Sequence, residues 1–344
     1  MAESTGTRPI ETGRLLLRRF VLSDAKAVFE CWSHDPEAAR FLRGEPHRNL
    51  GEARENLAEW VRGYGDESGC LWAVTRRQDG ALVGALRAFD ASTYDRRCEL
   101  LCCIGRRYRG SGYAAEAARA AVDFLLIDAG FNRAEACCPA ADAAAGRALQ
   151  RAGLLPEGTA RQRMRGPAGF EDCRLYGVVR SELYLPAASF AWKEPGVLAD
   201  GEIELACTAR GQAVPEKRRV PYYDFEIRKN GERAGRITLR VGFTEGLYYG
   251  GQLGFEVEEK FQGRHYAARA CGLLRLLALR HGYRRVLITN SPQNAASRRT
   301  CELIGARLVR IAVLPVWTDH YAAGERRVCI WEWDVTRRSD ESVT

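Results

Sequence analysis

Arg107-Tyr108-Arg109-Gly110-Ser111-Gly112-Tyr113-Ala114 is the stretch that decides the fold. It closes the apolar run Glu99-Leu100-Leu101-Cys102-Cys103-Ile104 and opens a run of small and apolar residues that stops at Gly130. Strand, glycine turn and helix start, in that order, bind an anion with backbone alone. The first helical N–H groups have no internal partner, and the helix dipole adds partial positive charge there. Glycine lets several N–H groups face one anion without a Cβ in the way. The pair Gly110 and Gly112 lacks the third glycine, and the acidic residue about 20 positions on, that a dinucleotide fold would carry.

The same order of signals occurs a second time. Gly84, in Leu82-Val83-Gly84-Ala85-Leu86-Arg87, recurs as Gly235 in Ala234-Gly235-Arg236-Ile237-Thr238-Leu239-Arg240. Gly110 recurs as Gly263, Gly130 as Gly282 and Gly153 as Gly305, at a spacing constant to within two residues. Glycine just past a helix end is the expected stop signal. Four landmarks in one register predict a duplicated architecture. The expected fold class is α/β, with strands alternating with helices after an antiparallel-looking strand set. Leu183 to Gly201, with Pro186 and Pro195, reads as a weakly periodic connection. The expected domains are therefore 8–183 and 197–337, joined by a linker at 184–196.

Composition restricts the function classes. With 344 residues, 46% apolar and 28% charged, the chain can bury two cores and falls in the soluble globular class. No apolar run approaches the roughly 20 residues of a membrane span, and Leu15-Leu16-Leu17 is too short for a signal-peptide core. A cytoplasmic location is the resulting expectation. The net charge of +8 is spread over both halves, without the basic stripe and stacking aromatics of a nucleic-acid binder. The twelve cysteines include the adjacent pairs Cys102-Cys103 and Cys137-Cys138 and no C-x-x-C, and only five histidines are scattered among them. Reduced, buried thiols and no metal site are expected.

Arg107 to Ala114 resembles the GNAT acetyltransferase signature R/Q-x-x-G-x-G/A, whose loop holds the pyrophosphate of acetyl-CoA. Flanking segments are similar to the ribosomal-protein N-terminal acetyltransferase subgroup: Glu11-Thr12-Gly13-Arg14-Leu15-Leu16-Leu17-Arg18, Ser33-His34-Asp35-Pro36-Glu37, Ala129-Gly130-Phe131-Asn132-Arg133 and Leu175-Tyr176-Gly177-Val178. The second half resembles another GNAT subgroup through Val220-Pro221-Tyr222-Tyr223-Asp224-Phe225, Leu247-Tyr248-Tyr249-Gly250-Gly251, Gln262-Gly263-Arg264-His265-Tyr266-Ala267 and Pro292-Gln293-Asn294-Ala295-Ala296-Ser297. The resemblance implies two domains in tandem, each a mixed, mostly antiparallel sheet splayed in the middle and flanked by helices. Acetyl-CoA would be the acyl donor and an amine the acceptor.

By the same resemblance, Arg107, Arg109, Gly110, Ser111, Gly112, Tyr113 and Ala114 hold the donor in the first copy. Gln262, Gly263, Arg264, His265, Tyr266 and Ala267, with Asn294 and Ser297, hold it in the second. Asp142 and Ala145 stand where the first copy would carry that Asn and Ser. Lys260 replaces the leading Q/R of the second loop, and His265 its last glycine, which is tolerable if φ there stays negative.

An alkyl amine is mostly protonated at neutral pH, so transfer needs a proton acceptor, and the departing thiolate is helped by a donor. Glu99 stands where the resembled subgroup carries a carboxylate base; the alternative is a solvated strand-edge glutamate. Its second-copy equivalent, Gln252, cannot act as a base, which leaves Glu245, Glu256 and Glu258 as fallback carboxylates. Where some GNATs place a Tyr acid, the copies carry Leu149 and Cys301. Leucine cannot donate; Cys301 is either a donor or a packed core thiol. Either both copies transfer acetyl groups, or one is catalytic and the other binds acyl-CoA or shapes the substrate site.

Overall fold

Fifteen strands and the helices between them account for most of the chain in the computed structural model, which describes residues 6–36, 38, 45–65, 69–166, 169–183, 190–214 and 219–337. Glu37 and the first six positions of the expected linker, 184–189, lie outside the described residues. The fold divides into two units after Leu183.

The first unit is one sheet. Its strands are β1 (Ile10–Glu11), β2 (Leu15–Arg18), β3 (Cys70–Arg76), β4 (Leu82–Ser92), β5 (Arg97–Ile104), β6 (Arg133–Pro139), β7 (Leu155–Gly166) and β8 (Gly169–Val179). They lie in the order β7-β8-β6-β5-β4-β3-β2-β1. Every neighbour is antiparallel except β5 and β6, which run parallel and pair only from Arg97↔Arg133 to Leu100↔Ala136. Past that pair the two strands separate, and the sheet opens. The helix Leu50–Arg62, capped by Asn49 Oδ1 accepting from Glu52 N, helps cover one face. There Phe20, Val28, Trp32, Leu57, Ala73, Leu82, Ala85 and Cys103 form a core. Tyr113–Asp123, continued by one wider turn to Asp128, is a nearly all-buried helix; Phe124 meets Trp72 of β3 edge-on at 5.8 Å.

The second unit repeats this plan: β9 (Glu204–Gly211), β10 (Tyr222–Lys229), β11 (Glu232–Arg240), β12 (Leu253–Val257), β13 (Arg285–Asn290), β14 (Arg307–Val313) and β15 (Arg327–Asp334). The order is β14-β15-β13-β12-β11-β10-β9, and again one pair is parallel, β12 with β13. That contact is a single register pair, Leu253↔Ile288, beyond which the strands diverge. Alternate residues Tyr223, Phe225, Ile227, Ile237 and Leu239 meet Ala270, Cys271, Leu274 and Leu277 of the helix Tyr266–Arg280 in its core.

The two landmark glycines are explained by close strand approach. A Cβ on Gly84 would overlap the carbonyl oxygen of Cys103, and one on Gly235 that of Glu256, at equivalent places in the two sheets. One expectation is corrected. Phe190 and Trp192, in the expected linker, pack on the second core, with Trp192 edge-on to Tyr223 at 4.9 Å and Lys193 N donating to Tyr223 Oη at 2.8 Å. Aromatic side chains bury too much apolar surface to stay in a bare connection. The units also differ in one connection. About fifty residues, with the helix Leu50–Arg62 among them, join β2 to β3, whereas only Gln212–Pro221 joins β9 to β10.

Candidate active site

In the first unit the turn after β5 runs through a short helical turn, Arg106–Tyr108, then Arg109 in an extended conformation, Gly110 at φ +82° and Gly112 at φ +78°. Gly112 is the N-cap of Tyr113–Asp123, with ψ 6° and no side-chain cap. The amides of Tyr113, Ala114 and Ala115 are thus left without an intrahelical partner, the first helical acceptor being Gly112 O for Glu116 N at 3.1 Å. No heavy atom would crowd a Cβ on Gly110, and on Gly112 only Arg14 Nη2 approaches, at 3.5 Å. The demand for glycine here therefore comes from left-handed backbone and not from lack of space.

The arginine side chains around this loop act as braces. Arg109 Nε turns back to donate to Ile104 O at 3.2 Å. Arg107 lies over the Tyr108 ring at 4.7 Å. Arg14, not foreseen from the sequence, bonds Ser111 O through Nη1 at 2.9 Å, pairs with Glu116 at 2.7 Å, and sits over the Tyr113 ring at 4.8 Å. Thr12 Oγ1 donates to the same carboxylate, so Glu116 fixes the helix start to the β1–β2 turn. Those partners lie about a hundred residues away, and no local pattern marks them.

Glu99 stands on β5 within the last paired stretch before the opening. The alternative of a solvated strand-edge glutamate does not hold: the residue is 5% exposed. Cys137 Sγ on β6 donates to Oε1 at 3.4 Å, and Arg163 Nη2 on β7 lies 3.3 Å from Oε2. Burial and the Glu99 carboxylate push the Cys137 thiol up to about 11, so it stays protonated. A carboxylate, a thiol and a guanidinium thus meet at the apex where the strands part. Leu149 lies on the helix Ala143–Arg151.

The second loop has nearly the same backbone. Glu258 (φ −61°, ψ 144°) matches Gly105 (−56°, 142°), Gln262 (−64°, 161°) matches Arg109 (−64°, 155°), and Gly263 at φ +78° matches Gly110. His265 matches Gly112, with φ +59° and ψ 22°. This overturns the expectation of negative φ. The helix start needs a left-handed residue in both loops, and histidine is among the few side chains that enter that region with some frequency. Gln262 Nε2 donates to Val257 O at 3.2 Å, the counterpart of the Arg109–Ile104 bond. Arg264 lies over Phe261 at 5.9 Å, and Tyr266 Oη donates to Glu202 at 2.9 Å. Ala267 is buried at the helix start.

The helix after the splay is capped alike in both units. Asp142 (φ −84°, ψ 81°) accepts from Ala145 N at 2.8 Å, and Asn294 (−80°, 82°) accepts from Ser297 N at 2.9 Å. The Asp-for-Asn difference keeps the cap and removes one side-chain donor. Ser297 Oγ accepts from Asn290 Nδ2 at 3.2 Å.

The second unit carries an amide, Gln252, at the position of the buried Glu99 carboxylate. Gln252, fully buried, accepts from Leu287 N at 3.0 Å and donates from Nε2 to Gly242 O at 2.8 Å and Tyr283 Oη at 3.2 Å. It ties β12 to its neighbours. Cys301 is 0% exposed in the core, takes a bond from Asn290 Nδ2 at 3.5 Å, and burial pushes its thiol up to about 12. Of the two sequence readings, the structure gives it the packed one. Glu245 belongs to the first turn of the helix Glu245–Gly250, Glu258 pairs with Arg233 at 3.5 Å, and Glu256 is exposed on β12 opposite Arg236.

A family model described as an acetyltransferase (GNAT) domain matches residues 14–155. That segment is a GNAT acetyltransferase domain. It contains the first loop, the splay and Glu99, and the chain is an acyltransferase. GNAT acetyltransferases take acetyl-CoA as acyl donor. Among relatives, the uncharacterized N-acetyltransferase YoaA of Bacillus subtilis is 28% identical over 171 residues, covering 50% of this chain and 96% of its own. YnaD of the same species is 26% identical over 152 residues, 43% of this chain and 84% of its own. A GNAT-family acetyltransferase structure from Bacillus anthracis is 20% identical with a TM-score of 0.45, covering 51% of this chain and all of its own. A ribosomal-protein-S5-alanine acetyltransferase from Vibrio fischeri is 15% identical with a TM-score of 0.45, covering 51% of this chain and 98% of its own.

Proposed function

We propose that the chain is a tandem GNAT protein that moves an acetyl group from acetyl-CoA to a primary amine, either a peptide N-terminus or a small molecule. The first unit carries the transfer. The observation that carries this reading is the pairing of an amide-lined loop at Gly110–Ala114 with a buried carboxylate, Glu99, at the apex of the same splay. The amine nitrogen forms the new C–N bond, the C–S bond breaks, and coenzyme A leaves as thiolate. Glu99 takes the ammonium proton directly or through water. All twelve cysteines are free thiols, nine of them buried, in keeping with a reducing, cytoplasmic compartment.

For the second unit, the matching dihedrals from Glu258 to His265 and the matching cap at Asn294 support a second coenzyme A site. The clasped Gln252 favours a division of labour, with donor bound in both units and Glu99-type proton transfer only in the first. Calorimetry of the full chain with acetyl-CoA tests both parts. Two equivalents bound, with thiol release on addition of an amine panel, supports the reading. One equivalent removes the second site, and no heat removes the donor assignment altogether.

A further inference from the structure

Strand alternation puts Asp224 of β10, Arg236, Thr238 and Arg240 of β11 and Gly254 of β12 on the sheet face away from the helix Tyr266–Arg280. Asp224 is buried and committed: Arg236 Nη2 donates to it at 2.7 Å, and Thr238 Oγ1 donates to its other oxygen. Arg240, the next residue in that row, has no such partner. Among the described residues its side chain makes one hydrogen bond, Nη1 to Gly251 O at 3.3 Å, and no carboxylate lies within ion-pairing distance. Burial holds this guanidinium below its ordinary value, with Asp224 opposing that effect and Arg236 reinforcing it.

The place is made by glycine. A Cβ on Gly254 would stand 3.2 Å from Arg240 Nη1, and one on Gly251 would stand 3.1 Å from Thr289 Oγ1. Gly254 and Thr289 are the first residues past the single β12–β13 pair, so the guanidinium borders the mouth of the splay. A partly buried guanidinium with no direct ion pair, beside an Asp224 already paired with Arg236, is costly unless a ligand supplies further charge. Its planar fork, with most of its five donors unused, fits the two oxygens of a carboxylate. Asp224 close by disfavours a dianion such as phosphate.

We infer that Arg240 anchors a carboxylate-binding subsite at the second splay, for a carboxylate carried either on the acyl chain of a coenzyme A thioester or on a small acceptor. The inference rests on the reading of the second unit as a coenzyme A site. Its test uses the full chain, with Arg240→Gln, Arg240→Lys and Gly263→Trp variants checked for folding by circular dichroism. One arm compares the affinities of succinyl-CoA and acetyl-CoA. The other, at saturating acetyl-CoA, compares phenylalanine with phenethylamine. In one arm the carboxylate ligand should bind more tightly, and Arg240→Gln should weaken it roughly 10–100-fold, as loss of a charge-assisted bond would. Arg240→Lys should fall between, and the ligand lacking the carboxylate should be unmoved. If neither arm responds to Arg240→Gln while Gly263→Trp reduces bound coenzyme A from two equivalents to one, the subsite is wrong and the second donor site stands. If the unmodified chain binds one equivalent and Gly263→Trp leaves it unaltered, both fall together.

Discussion

Gly112 and His265 occupy the same left-handed backbone well, each one residue before a helix whose first amides face outward. The anion cradle is a property of main chain, so two different side chains serve it. His265→Gly should keep coenzyme A binding and leave the urea midpoint equal or higher, since glycine enters that well without strain. His265→Val should cost about 1–2 kcal/mol by the same measurement. Gly112→Trp forces a bulky side chain into the first loop and should raise the KM for acetyl-CoA about tenfold or more. An unchanged KM would place the donor elsewhere.

Glu99→Gln keeps the shape of the buried group and removes its capacity to take a proton. Turnover on any accepted amine should drop by about 10²-fold or more, with little change in acetyl-CoA affinity. Full turnover in the variant would assign proton removal to another group.

Gln252→Glu would put a carboxylate at the second-unit counterpart of Glu99, yet no gain of activity is expected. The new oxygen cannot donate to Gly242 O or Tyr283 Oη, and burying a charge there is costly even with the Leu287 N donor retained. Urea denaturation should show a loss of about 3 kcal/mol.

Cys301→Ala should leave turnover alone and lower stability by about 1 kcal/mol, the cost of a small cavity. Asn290 retains Ser297 Oγ and the Trp331 Nε1 donor at 3.2 Å, so no buried amide is orphaned. A large loss of turnover with intact folding would restore the thiol to the chemistry.

His281 accepts from or donates to Tyr223 Oη at 2.9 Å and stacks on Phe190 at 5.6 Å. Burial lowers its imidazole from 6.5 to about 4. Between those values the unfolded chain binds a proton that the fold refuses, so stability rises with pH. The contribution is complete above about 6.5 and lost as pH falls to about 4. Unfolding free energy measured across that window should decline toward acid, and His281→Gln should flatten the decline. An unchanged slope would remove His281 as its cause.

The sequence carried the architecture through its glycines because each of them answers a local demand. Gly84 and Gly235 admit a neighbouring strand, and the landmarks at Gly130 and Gly282 stop helices with left-handed backbone. The first loop was legible for the same reason. What escaped was set by distant pairing: Arg163 reaches Glu99 across 64 residues, and Arg14 reaches Glu116 across 102. The sign of φ at His265 also escaped, because residue type is a weak guide to a well that the surrounding turn imposes. Phe190 and Trp192 were hidden among prolines and small residues whose lack of period suggested a tether.

The short passage from β9 to β10 bears on how each unit tolerates change. The β2–β3 connection carries Leu50–Arg62, whose Leu57 is buried with Phe20, Trp32 and Cys103, so that connection is part of what holds the first unit together. No described residue from Gln212 to Pro221 joins the second core, so an insertion there should cost far less than one of the same length in the first connection.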